Sequence, residues 1–139
     1  MEINYIAIGV ATVLQFIAAA IWYTGIFGKL WGKIHGFDAV PPEEQKKMQK
    51  RMMPLLAVQF VLTLVTTTVL ALFTEGLSVL RWNVFGIAGF MWLGFIVPTQ
   101  VSAVLFGGTP PQWVIKKIAV MAGSSFVGLM IAAVILQVL

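Results

Sequence analysis

Four long apolar stretches occupy most of this 139-residue sequence and leave it few ways to fold. They cover approximately residues 3–26, 53–73, 82–106 and 114–139. An α-helix rises ~1.5 Å per residue, so about 20 apolar residues are enough to cross ~30 Å of hydrocarbon. The pattern predicts an all-α, polytopic membrane protein. Its four transmembrane helices are expected to form a bundle in a single integral membrane domain, residues 1–139.

The composition excludes an ordinary soluble domain. Apolar residues make up 60% of the sequence and charged residues 10%, whereas charged residues are about 25% of a typical soluble domain. In water, a chain of this length could bury only one modest core, and four such stretches would exceed it. Membrane lipid is therefore the expected surroundings. We expect the first stretch to be a retained span, because no basic segment precedes it as in a signal peptide.

The basic residues predict the orientation of the spans. Eight of the nine lie in the first and third connecting loops, and only Arg81 lies in the second. Such a bias places the basic loops in the cytoplasm and both termini outside it. In a bacterium, we expect this topology to be that of a multi-pass protein of the inner membrane with periplasmic termini. The net charge of +4 does not indicate nucleic acid, since no recognition motif accompanies it.

The first connecting loop, residues 27–52, contains ordered segments of its own. Leu30, Trp31 and Ile34 fall near one side of a short helix, a pattern typical of segments that lie along lipid headgroups. We therefore expect a short interfacial or cytoplasmic helix between the first two spans. A second helix start is predicted at Pro42, which suits a first turn and is followed by two acids. That helix is expected to continue into the second span.

Polar and helix-breaking residues inside the spans form the candidate functional set. Glutamine in hydrocarbon needs hydrogen-bond partners, so the span glutamines should point into the bundle. Pro98 lacks an amide hydrogen and crowds the carbonyl of Gly94, which predicts a kink and a freed carbonyl. Two interpretations stay open: a polar pathway or ligand pocket, and purely structural hydrogen bonding. The set comprises Gln15, Gln59, Thr63, Gly94, Pro98, Thr99, Gln100 and Ser102.

Two further groups of residues are expected to fix the helices in place. In the fourth span Ser124, Gly128 and Ala132 follow at four-residue steps, a pattern of close helix packing in membranes. That contact could lie within one subunit or between subunits. Aromatic residues near the span ends are expected to anchor the protein at the membrane interface. These anchors are Trp22, Tyr23, Trp31 and Trp113.

The spans lack the residue types that ion-coupled transport, catalysis or metal binding usually requires. No acidic residue, basic residue or histidine lies well inside a span, whereas proton- and cation-coupled carriers usually depend on one. The sequence has one histidine, His35, and no cysteine, which excludes a histidine-rich metal site and a cysteine nucleophile. We therefore predict no enzyme activity, no catalytic residue, no cofactor and no metal site.

Three motifs resemble those of a family of small bacterial membrane proteins, domain of unknown function 1761. They are Trp22-Tyr23, Phe27-Gly28-Lys29-x-Trp31 and Trp92-Leu93-Gly94-Phe95-x-x-Pro98-Thr99-x-x-Ser102-x-x-Leu105-Phe106-x-Gly108-x-Pro110. The resemblance implies a four-helix integral membrane protein and no settled activity. No catalytic or binding residue is therefore transferred. The sequence departs from the family at Val101, where the resemblance leads us to expect a bulky or polar residue, often asparagine.

A weak internal similarity links the first and third spans. Each span contains tryptophan and ends near a Phe-Gly pair, Phe27-Gly28 or Phe106-Gly107. This is compatible with a duplicated two-helix unit, in which the halves are related by an axis along the membrane normal. The spacings around the two pairs do not match well.

Two functions remain open from the sequence. The first is an oligomeric conduit for, or binder of, a small or lipid-like molecule, built on the third span and the polar side of the second. Four spans make a thin wall, so a homo-oligomer is expected in that case. The alternative is an accessory or structural protein that packs against a partner membrane protein through the small residues of the fourth span.

Overall fold

The computed structural model describes residues 2–139, and every regular element in that part of the chain is helical. Three one-turn 3₁₀ segments lie in the connections, at Phe37–Ala39, Ser78–Leu80 and Pro111–Trp113. The six α-helices are α1 (Tyr5–Ala20), α2 (Gly28–Ile34), α3 (Pro42–Gly76), α4 (Val84–Met91), α5 (Val97–Phe106) and α6 (Val114–Val138).

Four continuous helical segments are long and apolar enough to cross a membrane: Tyr5–Ile26, Pro42–Gly76, Val84–Phe106 and Pro111–Val138. The predicted all-α fold with four membrane spans is thereby confirmed. The first segment is α1 with an added π-helical turn, and the third joins α4 to α5 through another. The short helix expected between the first two spans is α2.

α3 begins at Pro42, as its proline and the acids of its first turn predict. It continues without a break for 35 residues and has Pro54 inside it. The second span and the last part of the preceding loop therefore form one rod, which is longer than the apolar stretch of residues 53–73.

Asparagine side chains cap two of the spans. Asn4 Oδ1 accepts a hydrogen bond from the backbone N–H of Ala7 at 2.9 Å, and Asn83 Oδ1 accepts one from Gly86 at 2.7 Å. Such caps satisfy amide groups that a first turn leaves unpaired. Asn4 also donates from Nδ2 to the carbonyl of Leu139 at 2.9 Å. This bond joins α1 to α6 at the end of the bundle opposite α2.

The helices pack closely near the α3–α4 connection. α1 contacts α6 and α3, α6 also contacts α4 and α5, and α3 contacts α4. Alanines in the core let the backbones approach closely, which is how helices associate in lipid. The core cluster consists of Ala11, Leu70, Val84, Ile87, Ala88, Leu129, Ala132 and Ala133.

The small-residue stripe of α6 faces the inside of the bundle. Ala132 is completely buried in the core cluster. A Cβ added to Gly128 would lie 3.5 Å from Oε1 of Gln15, so α1 packs against this glycine. Tyr23 lies beside Ser124. The structure therefore answers the question left open by the sequence: this contact lies within one chain.

α3 is the least covered of the four spans. Only 11% of its most apolar window is buried, compared with 22–28% in the other three spans. Its buried residues are Thr67 and Leu70, both in the half of the helix near α4. Much of the surface of the half nearer α2 is therefore exposed in the single chain.

Candidate functional site

Two tryptophans tie neighbouring helices to α6 through their ring N–H groups. Trp22 Nε1 donates to the carbonyl of Val120, and Trp92 Nε1 donates to the carbonyl of Ala122, each at 2.9 Å. The two accepting carbonyls are only two residues apart on α6. The first and third spans thus meet α6 at nearly the same height.

Both tryptophans belong to π-helical turns. Trp22 lies in the turn Ile21–Ile26, and Trp92 opens the turn Trp92–Ile96. A π-helical turn inserts one extra residue into the α-helical register and is frequent at functional sites. These turns also coincide with the motifs that carry the family resemblance. We define the α6 clamp as Trp22 and Trp92 together with the α6 segment of residues 120–125.

Gly123 makes the close approach of Trp22 to α6 feasible. A Cβ at this position would lie 2.7 Å from Cζ2 of Trp22 and 3.1 Å from Cη2, well inside normal contact distance. The indole cannot move away easily, because its ring N–H is bonded to Val120. A side chain of any size at residue 123 would therefore strain the clamp.

Serine and glutamine complete the clamp on the α5 side. Ser125 Oγ donates to the carbonyl of Ala122 at 3.0 Å and lies 3.4 Å from Oε1 of Gln100. Gln100 is half-buried and points toward α6, as the sequence predicts for a span glutamine. Phe126 covers Trp92 with an edge-on ring at 5.1 Å.

A second polar cluster joins α1 to α3. Gln15 is 7% exposed, and its Nε2 donates to Thr67 Oγ1 at 2.6 Å and to the carbonyl of Ala11 at 3.2 Å. Thr67, completely buried, donates in turn to the carbonyl of Thr63 at 2.8 Å. The donors of this cluster are all used within the chain. The cluster therefore acts as a structural bridge between two helices.

Five residues of the predicted interior set lie elsewhere. Gln59, Gly94, Pro98, Thr99 and Ser102 are exposed at the surface of the single chain. The prediction that all the span glutamines point into the bundle is therefore wrong for Gln59. Gln59 lies on a turn of α3 that α4 does not cover.

The irregularity predicted at Pro98 takes the form of the π-helical turn Trp92–Ile96, which directly precedes α5. Thr99 Oγ1 donates to the carbonyl of Phe95 at 2.6 Å. This hydroxyl bonds to the carbonyl one turn back, at Phe95, and not to the Gly94 carbonyl that Pro98 is predicted to free. Pro98 and Thr99 themselves face away from the core.

Three polar side chains on α3 lie in line with the bundle core but outside it. Gln59, Thr63 and Thr66 lie on the same side of the helix as Leu70, at steps of three or four residues. Leu70 is buried in the core cluster with Val84 of α4, but Gln59 is exposed and both threonines are only half-buried. We call Gln59, Thr63 and Thr66 the α3 polar stripe.

Hydrogen bonds of the α3 polar stripe remain on α3 itself. Gln59 Nε2 reaches Thr63 Oγ1 at 3.4 Å, while the two threonine hydroxyls donate to the carbonyls of Gln59 and Leu62. Gln59 lies six residues beyond Met53, ~9 Å along the helix into the apolar stretch. An amide at that depth still has hydrogen-bonding capacity to fill.

The aromatic anchors lie at the α2 end of the bundle. The Trp31 ring meets Tyr23 edge-on at 4.7 Å and lies tilted against His35 at 4.4 Å, and Lys117 Nζ lies 6.0 Å from its ring centre. Trp113 pairs with Lys116, whose Nζ is 5.2 Å from the ring centre. These contacts hold α2 against the start of α6. Within residues 2–139, no three histidine, cysteine, aspartate or glutamate side chains group as metal ligands would.

Sequence reasoning missed the partners on α6. The sequence predicts Trp22 as an interfacial anchor and predicts no contact for Trp92, Gly123 or Ser125. The available signal was a glycine beside two serines, Gly123-Ser124-Ser125, in an otherwise apolar span. It marks a place where a large ring and polar groups approach the backbone.

A family described as "Protein of unknown function (DUF1761)" matches residues 6–137, which is nearly the whole chain. No curated protein and no solved structure matches.

Replacing Gly123 with alanine should destabilise the fold. The added methyl group would meet the Trp22 ring, and such overpacking typically costs about 1–3 kcal/mol. The measurement is reversible unfolding in mixed detergent micelles. Gly9→Ala is the control, because a Cβ at residue 9 of α1 meets nothing within 4 Å. Equal stability of both variants would show that Trp22 does not contact residue 123.

Replacing Thr67 with valine should weaken the contact between α1 and α3. The change keeps the shape but removes the acceptor of Gln15, and bonds of this kind are worth about 0.6–2 kcal/mol in membranes. The same unfolding assay applies. Thr68→Val is the control, because the Thr68 hydroxyl bonds only to its own helix, at Leu64. A loss of equal size in the control would argue against the bridge.

Proposed function

The chain belongs to the DUF1761 family, and from the arrangement of its helices we propose that it is an oligomeric membrane protein that binds, or conducts across the bilayer, a small or lipid-like molecule. The family description assigns no activity. The proposal therefore rests on where the chain places polar groups at membrane depth.

The observation that carries the proposal is the α3 polar stripe. Gln59 is exposed within an apolar stretch, and the one hydrogen bond that its side chain makes within residues 2–139 is a long one, 3.4 Å, to Thr63 on the same helix. Polar groups in hydrocarbon are usually paired or face a cavity. A second subunit or the polar part of a bound molecule would supply the missing partner.

The interior of a single chain has little room and few free polar groups with which to bind a molecule. Gln15 and Thr67 are bonded to one another, Trp22 and Trp92 donate to α6, and the core cluster fills the space between the helices. A molecule would therefore bind outside this core, between subunits that meet along α3. Closed symmetric assembly is the common way in which small subunits build such a site.

The alternative function, an accessory protein that packs against a partner membrane protein, has less support from the structure than from the sequence. It relied on the stripe Ser124, Gly128 and Ala132 as a docking surface, and this stripe packs inside the chain. A partner membrane protein would have to use the α3 polar stripe instead. The two functions then differ in whether copies of the same chain or a different protein cover α3.

Replacing Gln59 with leucine should shift the oligomer toward monomers. The loss of an interhelical amide contact worth about 0.6–2 kcal/mol corresponds to a ~3- to 30-fold weaker association. Oligomeric mass in mild detergent measures this, and native mass spectrometry detects any small molecule that stays bound. Gln137→Leu is the control, because Gln137 is an exposed glutamine near the end of α6.

Wild-type protein that is monomeric, carries no bound molecule and gives no solute flux in liposomes would refute the proposal. An oligomer unaffected by Gln59→Leu would refute the α3 polar stripe as its contact. Co-purification of one different membrane protein, lost on Gln59→Leu, would favour the accessory function.

We further propose that both termini lie outside the cytoplasm of a bacterial cell. Asn4 bonds to Leu139, so both termini lie at one end of the bundle, and α2 with its lysines lies at the other. Basic loops favour the cytoplasmic side. A tag after Leu139 should be labelled in intact spheroplasts, whereas a cysteine placed at Asp38 should not. The opposite labelling pattern would reverse the topology.

A further inference from the structure

The first turns of α3 carry four basic residues on one side of the helix. At 3.6 residues per turn, Lys46, Lys47, Lys50 and Arg51 fall within an arc of ~140°. All four side chains are exposed. We call these four residues the α3 basic face.

The opposite side of the same turns is bonded to the loop that precedes the helix. Gln45 is half-buried and donates from Nε2 to the carbonyls of Phe37 and Val40, at 3.0 and 3.2 Å. Gln45 lies ~170° around the helix from the middle of the basic face. These bonds hold the helix with its basic face turned away from the loop that precedes it.

The length of α3 sets the depth of this face. The apolar stretch of residues 53–73 is ~31 Å long and matches the hydrocarbon thickness. Arg51 and Lys46 then lie ~3 and ~10 Å beyond its edge along the helix. The headgroup layer is about 5–8 Å thick on each side of a bilayer. Lys50 and Arg51 therefore lie at the level of the lipid phosphates, and Lys46 lies just beyond the headgroup layer.

The charges nearest the membrane are not neutralised along the helix. Glu43 lies one turn before Lys46 and Lys47 and offsets part of their charge. Lys50 and Arg51 have no acidic residue within four positions on either side. Lys46, Lys47, Gln49, Lys50 and Met53 line a shallow, open depression on the surface of the same turns.

We propose that the α3 basic face binds the phosphate headgroups of anionic phospholipids in the leaflet at the α2 end of the bundle. Lysine and arginine donate to phosphate oxygens, and Met53 contacts the upper part of the acyl chain. This inference is independent of the proposed function, since the α3 polar stripe lies on a different side of the helix and deeper in the membrane.

The test uses the full chain in nanodiscs of phosphatidylcholine with a minor share of phosphatidylglycerol. Both leaflets then contain anionic lipid, so an effect of these residues on topology cannot influence the result. After transfer to mild detergent, native mass spectrometry gives the phosphatidylglycerol that stays bound. Wild-type protein should retain it well above its share of the bilayer.

Lys50→Gln with Arg51→Gln should lower this retention strongly. Each basic residue near a membrane surface contributes about fivefold in affinity for anionic lipid, so the pair should lose up to about 30-fold. Lys29→Gln with Lys33→Gln on α2 is the matched control, with equal loss of charge from exposed residues at the same end. Lys50→Arg with Arg51→Lys should keep wild-type retention.

Three outcomes would overturn the inference. One is retention in the wild type no greater than the bulk share of phosphatidylglycerol. Another is an equal loss in the α2 control, since diffuse charge would then explain binding. The third is loss of retention in the charge-preserving variant. Gln59→Leu should leave lipid retention unchanged, which separates this test from that of the proposed function.

Discussion

Hydrocarbon provides no hydrogen-bond partner, so each polar group that the chain places at membrane depth has to be satisfied by protein or by something bound to it. α6 meets much of this demand. Its carbonyls at Val120 and Ala122 accept the ring N–H groups of Trp22 and Trp92, and its glycines leave room for the side chains that approach. The first and third spans are oriented by these bonds, and α1 then fixes α3 through Gln15 and Thr67.

The sequence predicts the elements of this fold well because they depend on local chemistry. Apolar length sets the four spans, and Pro42 with its acids begins α3 where the structure has it. Which side of each helix is covered depends on helix order, which the sequence does not reveal. The amide of Gln15 meets Thr67 because α1 neighbours α3, whereas Gln59 is exposed on the surface of the chain. Both residues look alike in sequence, as glutamines in apolar spans.

The similarity of the first and third spans has a structural counterpart that goes against a simple duplication. Both spans contain a π-helical turn with a tryptophan that donates to a backbone carbonyl. A two-fold axis that exchanged the halves would carry α6 onto α3, so Trp92 should donate to α3. It donates to α6 instead, two residues from the carbonyl used by Trp22. Convergence on one central helix explains the likeness better, because each tryptophan solves the same problem against the same backbone.

α3 differs from the other spans because it is held along only part of its length. Near α4 it is buried through Thr67 and Leu70, and near α2 it is held by Gln45, while the turns between expose Gln59 on one side. Lys50 and Arg51 face away on another side, at the level of the phosphates. The middle turns pack against α1 on one side, where Phe60 meets Phe16, and leave the side that carries Gln59 exposed. The exposed amide of Gln59 therefore lies in hydrocarbon, where it favours a hydrogen-bonding partner. Lys50 and Arg51 lie among the headgroups, where their uncompensated charge favours an anionic one.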